Sequence, residues 1–421
     1  MTKFEKLIQE LCPDGVEYKT VGGVCDTVTD YVAAGSFGEL AKRVKYKSMP
    51  DYALLVRTMD LKSNFTKGDL IYVDKEAFEF LRRVDLEKSA IILPNIGNCG
   101  EVYYVEKKML PYEHCALAPN AILVRTSTED LKYLSYAFEA TDFQKQLRKI
   151  VSPTGQSKFN KTDLKKLSIP IPPLPVQREI VRILDSFTEL TAELQAELQA
   201  RKIQYEYYRD SLLNFNKLLK AKMVRLGDIA TSIYRGSGIK RDEITPDGIP
   251  CVRYGEIYTT YNTWFSKCSS HTKQEFVPNP KYFEYGDILF AITGENIEEI
   301  AKSVAYIGNE RCLAGGDIIV MKHKQNPKYL AYALLTYDAR QQKGKGKIKS
   351  KVVHSSVPSI ENIKIPLPPL DVQEHLVNVL DRFDALCNDI TSGLPAEIEA
   401  RQKQYEYYRD KLLTFKEVTN A

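Results

Sequence analysis

The sequence predicts an α+β protein: two similar mixed α/β domains separated by a pair of long antiparallel coiled-coil helices. Three observations carry that expectation. The heptapeptide QYEYYRD stands at 204–210 and again at 404–410. A proline-rich lead-in precedes each copy, SIPIPPLPVQ at 168–177 and KIPLPPLDVQ at 364–373. Between lead-in and heptapeptide the apolar residues fall at alternating steps of four and three, the spacing of a coiled-coil seam. At 421 residues the chain also exceeds what one ordinary core fills.

The first domain is expected over residues 1–168, with short strands and a few helices. FEKLIQEL (4–11) reads as an amphipathic helix that packs near the C-terminal spacer, which would give a circular pseudo-symmetry. LKYLSYAFEATDFQKQLRKI (131–150) reads as one helix. The first spacer is expected over 169–220. Ile180, Phe187, Leu194, Tyr208 and Phe215 alternate there with Leu184, Leu198, Tyr205, Leu212 and Leu219, interrupted only at Thr191 and Arg201. The prolines cannot extend a helix backwards, so they mark its start. The second domain is expected over 221–364, with NPKYLAYALLTYDARQQ (326–342) as the counterpart of 131–150. The second spacer is expected over 365–421. There ARQKQYEYYRDKLLTF (400–415) matches ARKIQYEYYRDSLLNF (200–215) at 12 of 16 positions. The offset between copies grows from 196 at the lead-ins to 200 at the heptapeptides. Four residues are therefore inserted near TSGLPAE (391–397), and Gly393 and Pro395 predict a break there. A fainter match lays TVGGVCDTV (20–28) on RLGDIATSI (225–233).

Composition bounds the function. Charged residues make up 27% and net charge is +4, so the distribution of charge matters more than its sum. Eight cysteines form no CxxC pair and no zinc-finger spacing, which reads as reduced thiols in a cytoplasmic protein. The N-terminus has no apolar signal-peptide core, and no apolar run has the length of a membrane span. Reaction centres are missing too. GKGKIKSK does not fit the GxxxxGK[ST] phosphate loop, and NIGNCGEV (95–102) gives only a G-x-x-G. No NPPY-like tetrapeptide of an amino-methyltransferase and no nuclease PD…(D/E)xK stands out. His114, His271, His323, His354 and His375 lack ligand-like spacing.

The candidate binding residues are basic. Residues 142–168 hold seven Lys/Arg against two Asp, including Lys158 and Lys161. At the equivalent place before the second lead-in, RQQKGKGKIKSK holds Lys343, Lys345, Lys347, Lys349 and Lys351, in a pattern that reads as flexible and able to follow a phosphate backbone. A charge run is ordinarily a solvated loop; its recurrence in both halves favours nucleic acid. Near the start of each domain come a turn with Ser36 and Phe37, and IYRGSGIKRDEI with Arg235, Ser237, Lys240 and Arg241; Arg253 follows a strand in IPCVRYGEI. Such arginines can read guanine or bind phosphate. On the repeated helices, Tyr207, Arg209, Tyr407 and Arg409 form a Tyr/Arg face suited to protein contact. A rival reading is a coiled-coil scaffold that never touches DNA; it explains the heptads but not the matched basic stretches.

Two variable domains, each opened by a segment like VRLGDI and closed by IPLPPL-x-VQ and a long helix ending QYEYYRDKLL, resemble the specificity (S) subunit of type I restriction–modification systems. The resemblance covers essentially the whole chain. It implies two target-recognition domains on a bipartite double-stranded DNA site and helices that set their spacing. It also implies helices that hold two modification (methyltransferase) subunits, with restriction subunits joining through the complex. S-adenosylmethionine, ATP and Mg would then belong to those partners, none being bound by this chain. The unequal second helix is a departure that bears on the gap between half-sites.

Overall fold

The computed structural model describes residues 2–152, 155–214, 221–294, 299–343, 347–349, 352–388 and 392–418. They form two compact units. Unit 1 comprises Met1–Ala192 with Ala400–Ala421, and unit 2 comprises Glu193–Glu399.

Unit 1 contains a four-stranded antiparallel sheet in the order Thr27–Asp30, Ala121–Arg125, Ala90–Pro94, Tyr103–Val105. A second sheet runs Tyr72–Val73, Ala53–Val56, Cys115–Leu117. AIILP and ALLV are buried at every position, which is why they read as continuous apolar runs rather than alternating ones. Unit 2 has two five-stranded sheets. One runs Ala230–Arg235, Ile318–His323, Ile288–Ala291, Ser303–Tyr306, Trp264–Phe265; the other runs Ile244–Thr245, Ser270–Thr272, Ile249–Val252, Cys312–Ala314, Tyr282–Phe283.

One skeleton recurs in both units at an offset of 196. The hydroxyl of Tyr133 donates to the Pro170 carbonyl at 2.8 Å, and that of Tyr329 to Pro366 at 2.7 Å. Tyr136 donates to Asp185, and Tyr332 to Asp381, each at 2.6 Å. Gln177 donates to the Pro172 carbonyl and accepts from the Asp130 N–H; Gln373 does the same with Pro368 and Asn326. Both glutamines are fully buried, so each bond replaces water that the amide has lost. The lead-in itself is a strand. Ser168–Ile171 pairs antiparallel with Glu17–Thr20, and Lys364–Leu367 with Lys222–Arg225.

Residues 131–150 are two helices, Leu131–Glu139 and Thr141–Ile150, not one. Ala140 between them is extended, at φ −60° and ψ 146°. The counterpart likewise divides into Pro327–Leu334 and Tyr337–Lys343. The break is tied to QYEYYRD. In unit 1, Asp410 accepts from the Thr141 N–H at 3.1 Å and from its hydroxyl at 2.6 Å. In unit 2, Asp210 accepts from the Tyr337 N–H at 2.8 Å. The repeated aspartate thus caps the second helix of each pair from outside, satisfying a donor that the helix start leaves free.

The first spacer is a single helix, Leu174–Asn214. The second is Leu370–Asn388 followed by Leu394–Leu413, with the break at the inserted GLP and Pro395 in the first turn of the later helix. Within unit 2, Tyr208 stacks on Phe383 with centroids 6.0 Å apart, and Arg201 and Lys202 lie beside Cys387, so the two helices run antiparallel. Within unit 1, Phe187 stacks on Tyr408 at 5.4 Å. Residues 187 and 383 occupy the same place in the repeat, as do 208 and 408. The helix Lys3–Leu11 presents Phe4, Leu7 and Ile8 to the cluster that holds Tyr405, Leu412 and Leu413.

Candidate nucleic-acid interface

Each unit carries a depression beyond the strand Thr27–Asp30 or Ala230–Arg235; the two share the loop that follows that strand and the loop at Pro119–Ala121 or Gly315–Asp317, and differ in the other elements that line them. In unit 1 the end of Thr27–Asp30 runs into a short turn and the helix Phe37–Arg43. Ser36 caps that helix in a reciprocal box: its hydroxyl accepts from the Glu39 N–H at 3.3 Å, while Glu39 accepts from the Ser36 N–H at 2.9 Å. Those bonds hold the Glu39 carboxyl below its ordinary range. Ser36 therefore positions Phe37, whose ring is 77% exposed. The cup beneath, about 430 Å³, is walled by Tyr31, Val32, Leu40, Val44 and Tyr46, with Asn95 and Asn120 on the far side. Lys161 lies at its edge and pairs with Asp30 at 2.9 Å. Lys158 is exposed, and its main chain bridges to Ile96 on the cup wall.

In unit 2 the strand Ala230–Arg235 leads into the equivalent loop. Gly236 crosses the main chain of Gly315 so closely that a Cβ would stand 2.2 Å from its carbonyl oxygen. Beyond it a depression of about 710 Å³ is lined by Gly238, Arg241, Arg253, Glu256, Gly316 and Asp317. The sequence-predicted residues of this unit therefore converge. Arg235 pairs with Asp317 at 2.5 Å and stays 60% exposed. Lys240 pairs loosely with Glu243 at 3.5 Å. Arg241 is exposed. Ser237, by contrast, spends its hydroxyl on the Asn279 carbonyl and its N–H on Ala314.

Two predicted residues are corrected. Lys343 is no DNA contact: it is 7% exposed, and its ammonium donates to Ser303 Oγ at 2.8 Å in the core. Burial, helped by Arg340, lowers its pKa to about 7. Arg209 is no open partner surface: it is 3% exposed, pairs with Asp210 at 2.8 Å and lies over the Tyr205 ring. Arg409 also pairs with Asp410, at 3.1 Å. Tyr207 and Tyr407 do face outward, at 69% and 61% exposure. Nor is all of KGKGKIKSK irregular. Lys347–Lys349 forms a strand paired with Val352–His354, which pairs with Thr293–Gly294. Lys345 and Lys351 lie outside the described residues, and Lys347 and Lys349 are described by their backbone only.

Several residues were missed. Lys42 and Lys45 are exposed at the rim of the first cup, just past TDYVAAGSFGEL, where the basic residues begin. Arg57 is the structural equivalent of Arg253, and VRTMD (56–60) repeats as VRYGE (252–256) at the same offset of 196. Each arginine precedes a short helix and pairs with the acid three residues on, Arg57 with Asp60 at 2.6 Å and Arg253 with Glu256 at 3.5 Å. Asp60 is fully buried, so the Arg57 pair is a built-in brace. Among the described residues no group of three or more His, Cys, Asp or Glu could hold a metal ion. None of their helices is long and apolar enough to cross a membrane.

Comparison with known proteins agrees with this duplicated architecture. The family described as type I restriction modification DNA specificity domain matches residues 13–201 and again 219–400. A putative type I restriction enzyme specificity subunit of Haemophilus influenzae, S.HindORF215P, is 33% identical over 62% of this chain and 67% of its own length. The EcoR124I/EcoR124II specificity subunit of Escherichia coli is 35% identical over 60% of this chain and 63% of its own length. A structure solved in a study of complex assembly and conformational transition of the type I R-M system has the same fold. Its TM-score is 0.60 at 14% identity, over 96% of this chain and 98% of that one.

Proposed function

Because the chain belongs to the family of type I restriction modification DNA specificity domains, we propose that it is the non-catalytic specificity subunit of such a complex. Each unit reads one half of a bipartite duplex site. One observation carries this reading: the same hydrogen-bonded skeleton recurs in both units at an offset of 196, while the exposed loops that follow Thr27–Asp30 and Ala230–Arg235 share almost no sequence. A shared frame with exchanged linings suits two readers of different sequence. Phosphate contacts from exposed lysines position each unit, and the depressions meet base edges. The exposed faces around Tyr207 and Tyr407 dock one modification subunit each, two in all, and restriction subunits join through that complex. S-adenosylmethionine, ATP and Mg are taken up by those partners.

The test is selection of bound duplexes from a random library by the chain together with its modification subunits, followed by titrations at two salt concentrations. A split motif should emerge. Lys42, Lys45 and Lys158 changed together to Gln should flatten the log–log salt slope by about 0.9 per lost phosphate contact. Equal affinity for all duplexes would favour a scaffold that does not read DNA.

A further inference from the structure

We propose, on the footing of the DNA-reading function above, that the first unit's cup reads the C5-methyl group of a thymine in the major groove. Most charged groups at the cup are engaged within the protein, whereas the Asn95 Oδ1 is buried without a partner among the described residues. The Asp30 carboxylate is held by Lys161 at 2.9 Å and by the Ala33 N–H at 3.1 Å. Asn95 donates its amide to the Phe159 carbonyl at 3.2 Å. Glu39 is bound into the Ser36 box. What remains open is chiefly apolar, Phe37 at 77% exposure, Tyr46 at 53% and Val32 at 41%, over buried Leu40 and Val44, with the exposed amide of Asn120 at the edge.

An exposed apolar patch of this kind in a reader needs an apolar handle on its target. The major groove offers one methyl group, that of thymine, among base edges that otherwise present chiefly hydrogen-bond donors and acceptors. The rim supplies the matching charge. Lys42 and Lys45 project from and just beyond the Phe37–Arg43 helix, and Lys158 stands beside the opposite wall at Ile96. An apolar centre within a basic rim is complementary to a methyl flanked by phosphates. The second unit's depression makes the contrast, lined by Arg241, Arg253, Glu256 and Asp317.

The experiment uses the full chain with its modification subunits and the duplex selected above. Each thymine is replaced in turn by deoxyuridine, which lacks only the methyl. At one thymine or more, affinity should fall about fourfold, the worth of one buried methyl-sized group. Phe37→Ala should weaken binding similarly and become indifferent to that replacement, while Arg241→Gln should keep the sensitivity. Phe37 is exposed, so the variant retains its core; circular dichroism checks this. A selected motif in which every thymine tolerates deoxyuridine overturns the proposal and leaves DNA reading intact. So does a sensitivity that survives in Phe37→Ala. A loss in Phe37→Ala without any deoxyuridine effect would mark Phe37 as a wedge between base steps, and also overturns it. Failure to select any motif overturns the DNA-reading function itself.

Discussion

Replacing Lys343 with Met should stabilise the second unit, and by an amount that depends on pH. The ammonium lies 7% exposed against Ser303, and its pKa falls from 10.5 to about 7, chiefly through burial. A lysine whose folded pKa is depressed costs stability whenever the unfolded chain is protonated and the folded one resists protonation. Above the unfolded value the cost vanishes. It grows as pH falls towards the folded value and is complete below it. With these two pKa values, linkage gives roughly 4 kcal/mol at pH 7 and roughly 1 kcal/mol at pH 9.5. Losing the bond to Ser303 returns about 1 kcal/mol. Lys343→Met is therefore worth roughly 3 kcal/mol at pH 7 and close to nothing at pH 9.5. Position 147, 196 residues earlier, shows the alternative: it holds a buried Leu. The chain has one tryptophan, Trp264, on the strand paired with Ser303–Tyr306, so its fluorescence reports this unit. Urea titrations at the two pH values, for wild type and variant, give the double difference. A shift in midpoint equal at both pH values would refute the buried-charge argument, as would a variant less stable at pH 7.

Two further perturbations test the fold. Asp410→Ala should cost about 1–2 kcal/mol and raise amide exchange in 141–150, whereas Asp210→Ala should cost about 1 kcal/mol and act on 337–343; exchange mass spectrometry that shows both variants loosening the same segment would contradict the capping assignment. Inserting seven residues near Leu194 within the unbroken helix Leu174–Asn214 should change the gap accepted between half-sites while leaving both half-site sequences intact, and motif selection with the variant reads this directly.

Much of the frame was legible because it is periodic or duplicated. The prolines, the paired glutamines and the tyrosines of YLSYAF and YLAYAL recur at one offset, and each occupies a buried, hydrogen-bonded place. The split at Ala140 was not legible. No glycine or proline marks it, and the residue that caps the second helix lies 269 positions away. Lys343 misled for a related reason. It begins a lysine run, but it sits on the inner face of a helix, where charge is rare and sequence offers no warning. The depressions were legible in part. Phe37 and the arginines of IYRGSGIKR mark their places, while the VR-x-x-acid brace required the 196-residue offset to be applied within the variable domains as well as at their borders.

The aspartate cap has a consequence for inheritance. Asp410 and Asp210 each hold their helix by a main-chain N–H, to which the Thr141 hydroxyl adds a second bond only in the first unit, and the residues that supply it are as unlike as threonine and tyrosine. A joint that engages peptide bonds makes few demands on side chains. A reader of unrelated sequence could be spliced in between the same two borders and still find its socket. An exchange at those two borders in the gene could then give the cell a new address to recognise while the rest of the machine stays as it was.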